Sequence, residues 1–342
     1  MFNDNADSFV IAEVGQNHQG DLKTAREFIR IFAFEGAHAI KFQTRHNKYL
    51  FSPEAYAAPY ASENAFADTY GEHREKLELD PAWLPVLRED CRKHGVKLGS
   101  TPFDEPSLEL LIQHDVDFIK LASFDLGNLP FARRIAQTGK PVVMSVGGGQ
   151  ADQIESTVNV FLSAGVELSI LHCVSEYPCE FHRLGLDNIE TLARKFPHCA
   201  IGLSDHFNGT LSGPVAYLKG ARVFEKHVTL NRAWKGTDHS FALEPEGFRR
   251  FVRDIGRVRH MLAPKPAEEI GREAVFQRLG KSVVAFQDIP KGGALTLENL
   301  SGRIFSEQHI PVRESGRLIG RKTRRNISQG EIIRYEDLDN AG

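Results

Sequence analysis

Two histidines, His206 in GLSDH and His227 in VFEKHVTL, each stand at the end of a short apolar run. Neutral imidazole is the commonest nitrogen ligand of divalent metals, and two of them converging leave positions free for water and a substrate oxygen. Either histidine alone is explained as well by a hydrogen-bonded core role, whereas matching places on neighbouring runs favour the joint reading. Strand alternation puts Glu225 and His227 on one face with Val223 and turns Lys226 to the other, toward helices or solvent. Lys41 in AIKFQT and Lys120 in FIKLAS interrupt apolar runs, where an unpaired ammonium is costly. Each therefore needs an anion, either an internal carboxylate or the phosphate or carboxylate of a ligand. Ser100, Thr101, Ser123, Ser145 and Ser204 occupy comparable run ends and can complete an anion cradle. The same reading of run ends collects Glu13, Gln43, Asp125, Cys173, Ser175 and Tyr177. The run VGGGQ (146–150) lacks the phosphate-loop and dinucleotide patterns, leaving a tight turn or backbone amides aimed at an anion. Past the histidine run, Asp238 in WKGTD is a candidate for bonding sugar hydroxyls.

The elements that must position these groups are legible as a repeat. Apolar, β-branched runs recur at 9–15, 39–44, 96–102, 118–123, 141–146, 168–174, 200–205 and 222–229, with helical periodicity between them. Buried strands alternating with amphipathic helices predict a parallel sheet, and eight units close most naturally into a (β/α)8 TIM barrel, with a doubly wound open sheet as the alternative. Chemistry in such a barrel gathers where strands end and βα loops begin. Residues 45–80 are too long for an ordinary βα loop and carry Tyr56, Tyr60, Tyr70, His73 and Arg74, which predicts an ordered lid or a dimer contact. The pattern changes near APKPAEEIG: residues 1–262 read as the barrel, 263–280 as a linker, and 281–342 as a small β-rich domain of short strands and glycine turns.

The chain has 342 residues with 42 basic against 45 acidic side chains, so no basic stripe offers itself to nucleic acid. No apolar run reaches the roughly 18 residues of a membrane span, and the start lacks a signal-peptide pattern, giving a cytoplasmic expectation. Cys91, Cys173, Cys179 and Cys199 follow no CxxC spacing and read as reduced packing residues.

In order along the chain, IAEVGQNHQGD, IKFQT, STPF, IKLAS, LHCVSEYP, GLSDH, FEKHVTL and KGTDHSFALEP resemble the sialic acid synthase family. The C-terminal strings KSVVAFQDIPKGGALTLENL and LIGRKTRRNISQGEII resemble that family's SAF domain, which is similar to type III antifreeze proteins. The resemblance implies condensation of phosphoenolpyruvate with an N-acetylhexosamine, using manganese or magnesium, to give a nonulosonic acid and phosphate. N-acetylneuraminate synthase acting on N-acetylmannosamine is the first expectation; a 9-phosphate synthase acting on N-acetylmannosamine 6-phosphate, or a legionaminate-type synthase, are the alternatives. On the matching positions it implies His206 and His227 as metal ligands, and Lys41, Thr101, Lys120, Ser123, Ser145, Ser175 and Ser204 as holders of phosphoenolpyruvate. Glu13, Gln43, Tyr177 and Asp238 are implied to face the sugar or move a proton. The chain departs from the family where Ala122–Asp125 replaces the common Gly-Ser-Gly-Glu, placing the acid on the shorter Asp125, and strand five ends Ser-Val-Gly-Gly. The insertion TYGEHREKLEL looks like the form found in animal synthases and some bacterial ones. The family also implies a domain-swapped homodimer in which an SAF arginine, here Arg303 or Arg313, reaches the partner's sugar. A metal-dependent barrel aldolase or hydrolase would share the histidines but not need the cradle; a sugar-binding scaffold would need neither.

Overall fold

The computed structural model describes residues 1–2 and 8–339, and its contacts divide the chain into two compact units, Met1–Leu262 and Ala263–Gly342. In the larger unit eight parallel strands close into a barrel: β1 (Phe9–Gly15), β2 (Ala39–Thr44), β3 (Lys97–Pro102), β4 (Phe118–Leu121), β5 (Val142–Ser145), β6 (Leu168–Cys173), β7 (Ala200–Asp205) and β8 (Val223–His227). The register between β8 and β1 pairs Val223 with Phe9 and His227 with Glu13, which closes the ring and rules out the open sheet. Helices pack outside; Leu22–Phe34 is typical, capped by Asp21 accepting from the Thr24 amide at 2.6 Å and burying Ala25, Phe28, Ile29 and Phe32 at helical spacing.

The inside of the barrel is built in layers. Ile11, Ala39, Phe118, Val143, Leu171, Ala200 and Val223 form an apolar layer with Phe2. The Phe118 ring fills this layer so completely that a Cβ on Gly99 would come within 2.1 Å of it, so β3 must offer glycine there. Two residues further along seven of the strands, and four residues past Ala200 on β7, the same face turns polar, at Glu13, Lys41, Thr101, Lys120, Ser145, Cys173, Ser204 and Glu225. The core between strands and helices is a separate, larger apolar cluster.

Residues 45–80 are ordered, with short helices at Asn47–Leu50, Pro53–Ala57 and Tyr70–Leu77. No helix among the described residues is long and apolar enough to cross a membrane. In the smaller unit β9 (Ser282–Ala285) pairs antiparallel with β10 (Leu300–Arg303), and isolated bridges and 3-10 turns wrap a core of Val283, Ala285, Ile289, Leu295, Ile310, Leu318, Ile327, Ile333 and Leu338. Residues 263–280 cluster with this unit and carry a helix at Ala274–Leu279.

Candidate active site

A cavity of about 690 Å³ opens at the C-terminal end of the barrel strands. Its floor is the polar layer. The Lys41 ammonium lies 2.6 Å from Glu13 Oε2 and 3.7 Å from Glu225 Oε2, and donates to Thr101 Oγ1 at 3.0 Å. Lys120 lies 3.7 Å from Glu225 Oε1, which also accepts from Ser204 Oγ at 3.1 Å. Gln43 Nε2 donates to Glu13 Oε1 at 2.8 Å.

The two carboxyls are driven apart. Burial pushes Glu13 up to about 7 against the pull of Lys41. Burial would raise Glu225 as well, but Lys120, Lys41 and His227 hold it at about 2. Near neutrality the floor can therefore hold two ammonium groups against one full carboxylate and one shared proton. Burial also pulls the Lys120 ammonium below its ordinary range, with Glu225 opposing. An arriving anion would relieve this imbalance. Ser145 Oγ, buried without a hydrogen-bond partner, points to the same vacancy for an acceptor or donor.

Gly147 completes one wall. Its amide donates to Ser123 Oγ at 2.9 Å, and a Cβ there would stand 2.5 Å from Ser175 Oγ and 3.0 Å from Cys173 Sγ. Gly147 thus passes its backbone beside two hydroxyls and a thiol, with no room for a side chain.

His206 and His227 meet across the cavity with ring centroids 5.4 Å apart, wedged by Tyr177, 4.0 Å from the His206 ring, and Phe241, 5.1 Å from the His227 ring. His206 Nδ1–H donates to the Val174 carbonyl at 2.7 Å, leaving the Nε2 lone pair free. His227 Nδ1 is buried without a hydrogen-bond partner, 3.5 Å from Asp238 Oδ2, and burial lowers this histidine's pKa and keeps it neutral. Two imidazoles facing one another, one with an orphaned nitrogen, fit an open metal site. Among the described residues no group of three or more His, Cys, Asp or Glu forms a closed metal shell.

Of the residues singled out from sequence, Glu13, Lys41, Gln43, Thr101, Lys120, Ser123, Ser145, Tyr177, Ser204, His206, His227 and Asp238 all line this one cavity. Three do not. Ser100 points outward and hydrogen-bonds Thr44 at 2.8 Å. Ser175 lines the neighbouring crevice with Val174 and Glu176. Asp125 lies beyond the end of β4, in a 3-10 turn, where it accepts from Asn128 at 3.0 Å instead of facing the cavity. Lys226 points away from the cavity but is fully buried, 2.7 Å from Asp205. Arg303 lies exposed on β10, and Arg313 sits over the Phe276 ring at 5.4 Å; both are in the smaller unit.

The outer wall holds residues that the reading of strand ends did not collect: Gln16, Arg45, Leu50, Phe51 and Phe103, beside Tyr70 and Arg74 from the inserted segment. Arg45 continues the alternation Lys41, Gln43, Arg45, and extending the two-residue period past the strand would have found it. The insertion is tied to the loop after β8 by the Gly236 amide donating to Asn64 Oδ1 at 3.0 Å, and by Lys235 lying 5.0 Å from the Phe66 ring centre.

A family model described as the NeuB family matches residues 28–266. The N-acetylneuraminate-9-phosphate synthase of Homo sapiens is 33% identical over 335 residues, spanning 98% of this chain and 93% of that one. The N,N'-diacetyllegionaminic acid synthase of Campylobacter jejuni is 31% identical over 333 residues, spanning 96% and 99%. A crystal structure of N-acetylneuraminic acid (sialic acid) synthetase from Leptospira borgpetersenii, in complex with citrate, matches with a TM-score of 0.69 at 31% identity, covering 78% of this chain and 90% of that one.

Proposed function

The chain belongs to the NeuB family, and from that premise we propose that it is a nonulosonate synthase joining phosphoenolpyruvate to an N-acetylated hexose of the N-acetylmannosamine type. The observation that carries the reading is the floor of the cavity, where two buried lysines share the Glu225 carboxylate close to a pair of facing histidines. Lys41, Lys120, Thr101, Ser123, Ser145 and Ser204 hold the carboxylate and phosphate of the enol. Gln43, Tyr177 and Asp238 face the hydroxyls of the acceptor. His206 and His227 hold a divalent ion, manganese or magnesium, which when bound polarises the acceptor's carbonyl.

As C3 of the enol bonds to the acceptor's carbonyl carbon, that carbonyl oxygen takes the proton of Glu13, whose raised pKa keeps it available near neutrality. Water then adds at C2 and returns a proton to Glu13. The tetrahedral adduct collapses to the ketone by breaking the C2–O bond, and its hydroxyl proton leaves with the phosphate. Glu225, held ionised by Lys120, Lys41 and His227, stays 3.7 Å from both lysines as their counter-charge.

Phosphate release that requires enol, sugar and divalent ion together, with a nonulosonate seen by mass, is the expected result. His227→Ala should lose turnover and metal dependence while retaining the barrel's circular dichroism. Release from the enol without any sugar would instead make the protein a hydrolase, and full activity of the variant under chelation would discard the metal assignment.

The smaller unit we read as an SAF domain that caps the cavity of a second chain in a swapped homodimer, with Arg303 contacting the sugar. Its small core favours docking on a larger partner. His227→Ala and Arg303→Ala chains, each inactive alone, should regain activity when mixed after reversible dissociation. No recovery in proven heterodimers would remove the swap.

A further inference from the structure

The outer wall of the cavity concentrates positive charge with little to answer it. Arg45 lies flat over the Phe103 ring, 3.8 Å from its centre, and donates through Nη2 to Gln43 Oε1 at 2.6 Å. Its Nη1 is buried with no hydrogen-bond partner. Arg74 donates from Nε at 3.0 Å and from Nη2 at 2.7 Å to the Tyr70 hydroxyl, and from Nη1 to Gln16 Oε1. These contacts leave the Tyr70 proton available to donate. Gln16 Nε2 is also buried without a partner. Among the described residues no carboxylate makes an ion pair with either guanidinium; Glu78 and Asp238 act on Arg45 only from longer range.

Resting on the synthase reading above, we infer that Gln16, Arg45, Tyr70 and Arg74 form a second anion site that binds a phosphate monoester at the far end of the acceptor sugar. Burial and then the nearby Arg74 charge pull Arg45 down to about 10, a strain that a bound anion would relieve.

The arginine wall is set apart from the lysine floor by intervening side chains. From Lys41 to Arg45 the path runs through Glu13 and Gln43, at 2.6, 2.8 and 2.6 Å. The same cavity also carries Gln43, Tyr177 and Asp238, hydrogen-bonding groups that suit sugar hydroxyls. A ligand spanning from floor to wall is a polyhydroxy chain with its reacting carbon over the floor and an anion on its last carbon. Because the condensation adds three carbons ahead of the aldehyde, a 6-phosphate on the acceptor becomes a 9-phosphate on the product.

The test is calorimetric titration with N-acetylmannosamine 6-phosphate and with N-acetylmannosamine, the latter with and without equimolar inorganic phosphate. The wild type should bind the phosphorylated sugar about 100-fold more tightly, as expected for charge-assisted, bidentate recognition. The ratio should fall below about 5-fold in Arg74→Met and recover in part in Arg74→Lys, which restores charge without the fork. Arg45→Met should compress it too and serves if Arg74→Met does not fold. Equal affinities in the wild type, or a ratio unmoved in folded Arg74→Met and Arg45→Met, would overturn the site. Inorganic phosphate that tightens the neutral sugar as much would make it a site for free phosphate and overturn the acceptor assignment. Turnover is scored separately: inactivity with both sugars sinks the synthase reading, while the binding ratio alone decides the arginine site.

Discussion

The floor and the outer wall of the cavity handle buried charge in opposite ways. On the floor every ammonium has a carboxylate within 3.7 Å, and Glu225 answers two lysines at once. At the wall two guanidiniums lean on neutral partners: Gln43, Gln16 and the Tyr70 hydroxyl. The floor sits on β-strands fixed by the barrel, whereas Tyr70 and Arg74 come from an inserted helical segment. Compensated charge on rigid elements suits chemistry common to a reaction class; uncompensated charge on an insertion suits a choice among substrates.

The sharpest way to break that contrast is Glu225→Gln. With Lys41 and Lys120 left facing a neutral amide, the barrel should lose about 3–5 kcal/mol, the cost of stripping one partner from buried charges. Chemical denaturation measures it, and a loss below ~1 kcal/mol would mean that the lysines are answered elsewhere. Glu13→Gln keeps the Gln43 and Lys41 neighbours but carries no transferable proton. Its kcat should fall about 10²- to 10⁴-fold, with unfolding free energy changed far less than in Glu225→Gln. Unchanged turnover would move the proton to another group.

The smallest effect belongs to the wall side. Glu78 accepts the Arg45 and Leu79 amides at 3.1 and 3.2 Å, and burial pushes its carboxyl from the ordinary 4.5 up to about 7. Between those two values the folded protein keeps a proton that the unfolded chain has released, so this contribution to stability falls as pH rises. Glu78→Gln lacks that slope. Relative to the variant, the wild type should lose about 1–3 kcal/mol between pH 5 and pH 8, and parallel pH curves would refute the shift.

The floor was legible because it follows one rule: a strand in a closed barrel shows the same face every second residue, so Ile11 predicts Glu13, Ala39 predicts Lys41 and Val223 predicts Glu225. The rule fails where the strand does. β4 ends at Leu121, and the 3-10 turn that follows carries Asp125 away to Asn128. Ser175 is past the end of β6, where the strand period no longer applies, and it lines the neighbouring crevice, packed against Gly147 beside Cys173 and Ser123. Ser100 was collected by type rather than by parity and faces outward. Arg74 and Gln16 meet through tertiary folding alone, some 58 residues apart in the chain, and no local period could pair them.

The apolar layer under the floor has a kinetic meaning. Phe118, Ile11, Val143, Leu171 and Val223 are fully or nearly fully shielded from solvent and stop the barrel from below, so the cavity is a blind well with one mouth. Whatever rests on the lysines must enter before the ligand that lies above it. On the proposed reaction, a sugar seated first would bar the enol, and the expected outcome is dead-end inhibition by the sugar at high concentration. Traffic in such a well would be last in, first out: under the proposed reaction, phosphate freed at the floor would wait until the new sugar acid above it had gone.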